Sequence, residues 1–278
     1  NKSCFIIFYC CSHTICLMGS ASSFINYSVS KVTGLSPFFS YHKYEFVTST
    51  NEIIKDFATK SFPEGTIVHA LMQSKGKGRS GKAWYSPKGN LFFSILLRPK
   101  VPISVVSQLS FVASLAVRQG LVNITNNMNG FIFKWPNDML LNNKKISGIL
   151  LECAPTNVSN VPDWIVIGIG LNILESPKEL DFATSLNEHG YFVDLNILIK
   201  EIANHLEKFY KDWLINGFEN VRNIWLKYSH PKGKKISIVI QNKKIEGKFN
   251  GITSDGSLII KLFDNSTKVI SGGEVNLI

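Results

Sequence analysis

The chain has 278 residues, 45% of them hydrophobic, and a formal net charge of +10. These values exclude a polypeptide too small or too polar to bury a core and leave room for more than one domain. Charge of this size raises nucleic acid as a partner without establishing one, because it is concentrated: from Gly65 to Asn137 there are nine Lys and Arg and no Asp or Glu, so one central region carries the excess.

The first forty residues differ from the rest. They hold Cys4, Cys10, Cys11 and Cys16, Lys2 and Lys31, many serines and no acid. The apolar run from Cys4 to Met18 falls short of the roughly 20 residues that a membrane-spanning helix needs. Lys2 before it and "GSASS" after it outline a secretory or transit leader, while the initial Asn reads equally as a fragment or an over-extended frame. Residues 1–40 are expected to be a poorly ordered or leader-like extension. The four cysteines lack histidine partners at zinc-finger spacing, which excludes that metal site. Cys153, in an apolar run, reads as an inert core thiol.

From Tyr41 the pattern is α/β. "YEFVTST" is a short strand ending in hydroxyls, and "TNEIIKDFATK" has helical spacing behind a Ser/Thr cap. "GTIVHALMQ" is a strand that leads into "KGKGRSGKAWYSPKGN", Lys75 to Asn90, with four glycines and five basic residues. "NLFFSILLRP" is the next strand, closed by Pro99. "SVVSQLSFVASLAVRQGLV" is a helix apolar all round and so belongs in the core. "GFIFKWPNDMLLNNKKISGILLECA" reads as two strands about the "NNKK" turn, and "DWIVIGIGLNI" as a buried strand. "LNILIKEIANHLEKFYKDWL" is a helix. Strands and helices do not alternate strictly, so a mixed sheet with helices packed on it is expected over residues 41–229. Pro231 and Gly233 mark a linker, and four short strands over residues 230–278 make a small closed β-barrel. There is no internal repeat and no helix-turn-helix pattern at the amino end.

The basic loop nearly matches the phosphate-loop pattern G-x-x-x-x-G-K-[ST]. Ala83 stands where the hydroxyl is required, and Pro87 and Gly89 prevent the helix that must follow. Such a loop either holds phosphate with its side chains or is a solvated basic loop. "GIG" at Gly168 to Gly170 is too short for a dinucleotide fingerprint and reads as tight strand packing.

Six segments in order resemble the biotin protein ligases: "STN" at Ser49 to Asn51, "Q-x-x-G-K-G-R-S-G-K-x-W" from Gln73 to Trp84, "SPKGNLFFS", "KWPND" from Lys134 to Asp138, "KISGILLE" from Lys145 to Glu152, and "GIGLN" from Gly168 to Asn172. The resemblance spans about Tyr41 to Ile278. Lys77 and Lys82 stand where the family carries arginine, which keeps the charge and loses the bidentate fork. It implies a catalytic domain similar to class II aminoacyl-tRNA synthetases followed by an SH3-like barrel. The implied reaction joins biotin to ATP as biotinyl-adenylate and passes it to a lysine of a biotin carboxyl carrier domain, with magnesium carrying phosphate charge.

The resemblance also implies roles. Lys145 would bridge carboxylate and α-phosphate, and Arg79 would grip phosphate. Ser49, Thr50, Asn51, Gln73, Lys77, Gly78, Trp84, Gly148, Leu150 and Gly168 would meet biotin. Lys82, Lys134, Asn137, Asp138, Gly170 and Asn172 would order the nucleotide, with Asp138 in a magnesium shell. Read from the residues alone, Ser49 and Thr50 also make a plain helix cap, Trp84 also packs a core, and Lys134 to Asp138 also form a turn at Pro136. A lipoate or octanoyl transferase and a nucleic-acid-binding module are the rival readings. The winged-helix pattern being absent, no DNA partner is expected, nor a membrane. Cytoplasmic location is expected, or a plastid or mitochondrion if the leader is genuine.

Overall fold

The computed structural model describes residues 32–156, 160–240 and 243–278, together with the backbone of three short strands nearer the amino end, Phe8–Cys10, Thr14–Cys16 and Tyr27–Val29 (β1–β3). The reading of residues 1–40 as an extension falls largely outside the described residues.

Strands Ser40–Val47 (β4) and Thr66–Gln73 (β5) run parallel, joined by helix Thr50–Thr59 (α1). Leu91–Leu97 (β6) lies antiparallel to β5. The sheet continues through Phe131–Lys134 (β7), Asp138–Leu141 (β8), Lys144–Cys153 (β9) and Ile165–Leu171 (β10), in the order β1-β2-β3-β4-β5-β6-β10-β9-β8-β7. The "KWPND" stretch therefore closes a hairpin of its own between β7 and β8, so the region holds three strands where two were expected. Its Trp135–Pro136 bond is cis.

Helices Leu109–Thr125 (α2), Leu195–Asn216 (α3) and Glu219–Lys227 (α4) follow. Asp194 caps α3, accepting hydrogen bonds from the backbone N–H groups of Asn196 and Ile197 at 2.7 and 3.0 Å. The stretch Ile103–Thr125 is apolar and long enough to cross a membrane, but it is the central core helix. Gly120 lets α3 come close, since a Cβ there would stand 2.8 Å from Ile202.

The period-2 alternation of β10 explains the site. Ile165, Ile167 and Ile169 face the core built with α2, while Val166 packs with Ile54 of α1 on the other face. Gly168 and Gly170 share that second face where α1 begins, so β10 itself sends no side chain into the space there. A cavity takes the bared surface.

Strands Lys235–Ile240 (β11), Lys243–Ile252 (β12), Leu258–Lys261 (β13), Thr267–Ile270 (β14) and Glu274–Leu277 (β15) form an antiparallel sheet in the order β14-β13-β12-β11-β15. It has five strands where four were expected, because Gly272 and Gly273 break "TKVISGGEVNLI" in two. Its apolar face, with Ile236, Phe249 and Leu258, joins the same hydrophobic core as α2 and α4. Trp135 Nε1 donates to the Gly256 carbonyl at 2.9 Å, and Arg222 donates to the carbonyls of Ile252 and Thr253.

Candidate active site

A cavity of about 920 Å³ opens over the glycine face of the large sheet. Its lining includes all but one of the candidates drawn from the sequence: Ser49, Thr50, Asn51, Gln73, Lys77, Gly78, Arg79, Lys82, Trp84, Asn137, Asp138, Lys145, Gly148, Leu150, Gly168, Gly170 and Asn172. The exception, Lys134, stands directly behind, 2.9 Å from Asp138.

One end of the cavity is a neutral hydrogen-bonding alcove. Gln73 Oε1 accepts from the Thr50 backbone N–H at 2.8 Å and lies 3.2 Å from the Thr50 hydroxyl, while Gln73 Nε2 donates to Ser86 at 3.0 Å. Ser49 occupies the helix cap position, yet its side chain makes no cap hydrogen bond. Asn51 lies below, bonded to Ser94, which ends the quoted segment "SPKGNLFFS" and was given no role from the sequence. The signal for Ser94 was a lone hydroxyl inside the apolar run "LFFSILL".

The other end is cationic. Asp138 is 5% exposed and holds two ammonium groups, Lys145 at 2.5 Å and Lys134 at 2.9 Å. Burial alone would push its carboxyl up; Lys145 and then Lys134 outweigh that and hold it below the usual carboxylate range. Lys145 also lies 5.4 Å from the Trp84 ring centroid. Its backbone is tied by Phe182 and Thr184, the N–H of Lys145 to the Phe182 carbonyl at 2.6 Å and the N–H of Thr184 to the Lys145 carbonyl at 2.9 Å. Lys144 is exposed on the opposite face.

The basic loop arches over this end, two of its cations paired with carboxylates from elsewhere. Lys77 reaches Glu52 of α1, and Lys82 reaches Glu274 of β15. Arg79 donates to Asn137 Oδ1 at 3.1 Å and to the Gly273 carbonyl at 3.4 Å. Burial lowers its pKa, opposed by Asp138 and then Glu274, and the guanidinium stays charged. Asn137 is itself fixed, donating to the Ile149 carbonyl at 2.6 Å. Sequence reasoning missed Glu52 and Glu274 because nothing local marks a carboxylate as the distant partner of a loop.

The glycines serve protein side chains first. Trp84 lies on Gly148 and Gly170, where a Cβ would stand 2.9 Å from Trp84 Cζ3 and 2.5 Å from Trp84 Nε1 respectively. A Cβ on Gly168 would clash with Asn51 Oδ1. Asn172 is 3% exposed and donates to the Thr184 carbonyl at 3.1 Å, pinning the segment beside Lys145. Both Asp138 oxygens are taken, and among the described residues no group of three or more His, Cys, Asp or Glu could hold a metal ion. This donor set does not fit a resident magnesium, and no step below passes through one.

A neutral alcove beside preset cations, Lys145 among them, suits a ligase that activates a carboxylic acid. Residues 44–172 match the model of the Biotin/lipoate A/B protein ligase family, and residues 233–277 that of the Biotin protein ligase C terminal domain. The chain is 33% identical over 238 residues to the bifunctional ligase/repressor BirA of Bacillus subtilis (strain 168), covering 83% of this chain and 71% of that protein. To the biotin--[acetyl-CoA-carboxylase] ligase of Paracoccus denitrificans it is 31% identical over 201 residues, 70% of this chain and 83% of the relative. The structure of the biotin protein ligase from Aquifex aeolicus in complex with biotin and ATP superposes with a TM-score of 0.74 at 30% identity, covering 86% of this chain and 98% of that one. The chain belongs to the biotin protein ligase family.

Proposed function

We propose that this cavity joins biotin to AMP and passes the biotinyl group to a lysine of a carboxylase's biotin carrier domain. A biotin carboxylate oxygen attacks the α-phosphorus of ATP; the new O–P bond forms as the bond to the β-phosphate oxygen breaks, and pyrophosphate leaves. The acceptor lysine's ε-amine then attacks the acyl carbon. An amide forms, AMP leaves with the electrons of the broken C–O bond, and the amine releases a proton.

The observation that carries this reading is the placement of Lys145. Its ammonium stands at the cationic end beside the Trp84 ring, held by Asp138, and its backbone is tied on both sides. Charge develops there as the two anions meet, and a cation already fixed in place lowers that barrier most. Trp84, laid on Gly148 and Gly170, gives biotin's fused rings an apolar wall. Arg79 and Lys82 supply cations at the phosphate end.

The test is incubation with ATP, magnesium and labelled biotin. An acid-labile biotinyl-adenylate and biotin-dependent exchange of pyrophosphate into ATP are expected. If neither appears, the reading fails.

A further inference from the structure

Behind the alcove runs a chain of hydrogen bonds that no part of the reaction above uses. Gly168 pairs with Ser94 of β6 on one side and with Leu150 of β9 on the other, and Glu152 follows two residues along β9 on the same face. The Asn51 amide lies flat on Gly168, between a hydroxyl and a carboxylate. Its Nδ2 donates to Glu152 Oε2 at 2.7 Å, and its Oδ1 accepts from Ser94 Oγ at 2.5 Å. Ser94 Oγ is also 2.7 Å from Thr50 Oγ1. Lys55 holds the other Glu152 oxygen at 2.8 Å.

We propose that Glu152 is the positioning residue that sets the polarity of the biotin alcove. The inference rests on the reading of this cavity as the biotin site. A carboxylate can only accept, so Asn51 must turn its N–H₂ toward Glu152 and its oxygen toward Ser94. Ser94 has one proton and spends it on that oxygen. The 2.7 Å Ser94–Thr50 contact then draws the Thr50 proton in preference to Gln73 Oε1 at 3.2 Å, and Thr50 meets the cavity with oxygen lone pairs. One acceptor-only group thus dictates the direction of every bond up to the pocket wall. A cyclic urea suits the result, since its ring N–H groups need an acceptor and its carbonyl finds a donor in the second Gln73 Nε2 proton. A dithiolane or a plain acyl chain has no N–H to offer and gains nothing from it.

Glu152→Gln tests the polarity with little change of shape. Lys55 draws the carbonyl oxygen of the new amide, whose N–H₂ then faces Asn51. Asn51 flips, Ser94 accepts from it and donates to Thr50, and the Thr50 proton is displaced toward Gln73 Oε1 and the pocket, where it opposes the ring N–H groups of a urea. In biotin-dependent pyrophosphate exchange, the KM for biotin is expected to rise about tenfold, the loss of one well-aligned hydrogen bond, with kcat and the KM for ATP within about twofold of wild type. Adding Asn51→Asp restores an acceptor-only group against Ser94 and lets the amide introduced at position 152 donate to it; the double variant is expected to recover to within about threefold of wild type. Lys55→Met removes the ion pair and keeps the Asn51–Glu152 bond, so its biotin KM stays at the wild-type value. An unchanged biotin KM in Glu152→Gln, an equal loss in kcat and in both KM values, a double variant no better than the single one, or a Lys55→Met variant as impaired as Glu152→Gln each overturns the proposal. Wild-type protein without exchange activity overturns the functional reading itself, and this inference with it.

Discussion

Two adjacent lysines show how much a single residue step decides. Lys145 Nζ lies 2.5 Å from Asp138 inside the cavity, whereas Lys144 is exposed on the other face of β9. Lys145→Gln keeps hydrogen bonding and removes the charge, so adenylate formation is expected to fall by about two orders of magnitude, the effect of deleting one preorganised electrostatic group. Transfer from pre-made biotinyl-adenylate is expected to suffer less, and Lys144→Gln to be nearly silent. Single-turnover measurements of the two half-reactions check this; equal losses in both would move Lys145 out of the first step. At this scale the sequence was informative where residues act through their own motif. Gln73, Arg79, Trp84 and Lys145 were visible in "QSKGKGRSGKAW" and "KISG", and all line the cavity. It assigned no role where a residue acts through a distant partner, even to Ser94 and Glu152, which end two of the quoted segments: Ser94, Glu152, Glu52 and Glu274 each stand 25 or more residues from a group they hold. Only the folded sheet brings them together.

Among elements, β10 carries the most information per residue. Its "IGIG" places isoleucine against α2 and glycine against the cavity, an alternation that needs no knowledge of the fold. What the pattern did not disclose is the use of the glycines. Gly170 makes room for the Trp84 indole, and an added Cβ would stand 2.5 Å from its Nε1. Gly170→Ala is therefore expected to displace Trp84 at an overpacking cost of about 1–3 kcal/mol and to weaken biotin binding about tenfold or more. Calorimetric titration with biotin measures this, and an unchanged affinity would mean that Trp84 does not shape the pocket. Element boundaries were harder to read wherever a tight turn hid inside a motif. "WPN" closes the β7–β8 hairpin and "SGG" separates β14 from β15, so each region gained a strand. Helix α4 escaped because it is short, although Phe218, Val221 and Trp225 carry its buried face at helical spacing.

For the whole molecule, one core serves both sheets, and acid should expose its weak points. His69 and His230 are buried, and burial pushes their pKa values down to about 3 and about 4 from 6.5. The unfolded chain binds protons on both between those values and 6.5, whereas the folded chain does not. Their neutral burial costs nothing above pH 6.5, and stability falls as pH drops below it, by about 2 kcal/mol for each at pH 5. Denaturant midpoints at pH 7.5 and pH 5 check this; equal midpoints would mean that the two imidazoles are protonated in place. The breadth of the charge pattern has a consequence of its own. The stretch from Gly65 to Asn137 has no acid, yet Lys77, Arg79, Lys82 and Lys145 face Glu52, Glu274 and Asp138, lent by α1, β15 and β8. On the proposed function, the fold thus carries an internal mimic of the phosphates that the loop grips. An arriving nucleotide competes with that mimic, so a better mimic would steady the loop and loosen the enzyme's hold on its substrate.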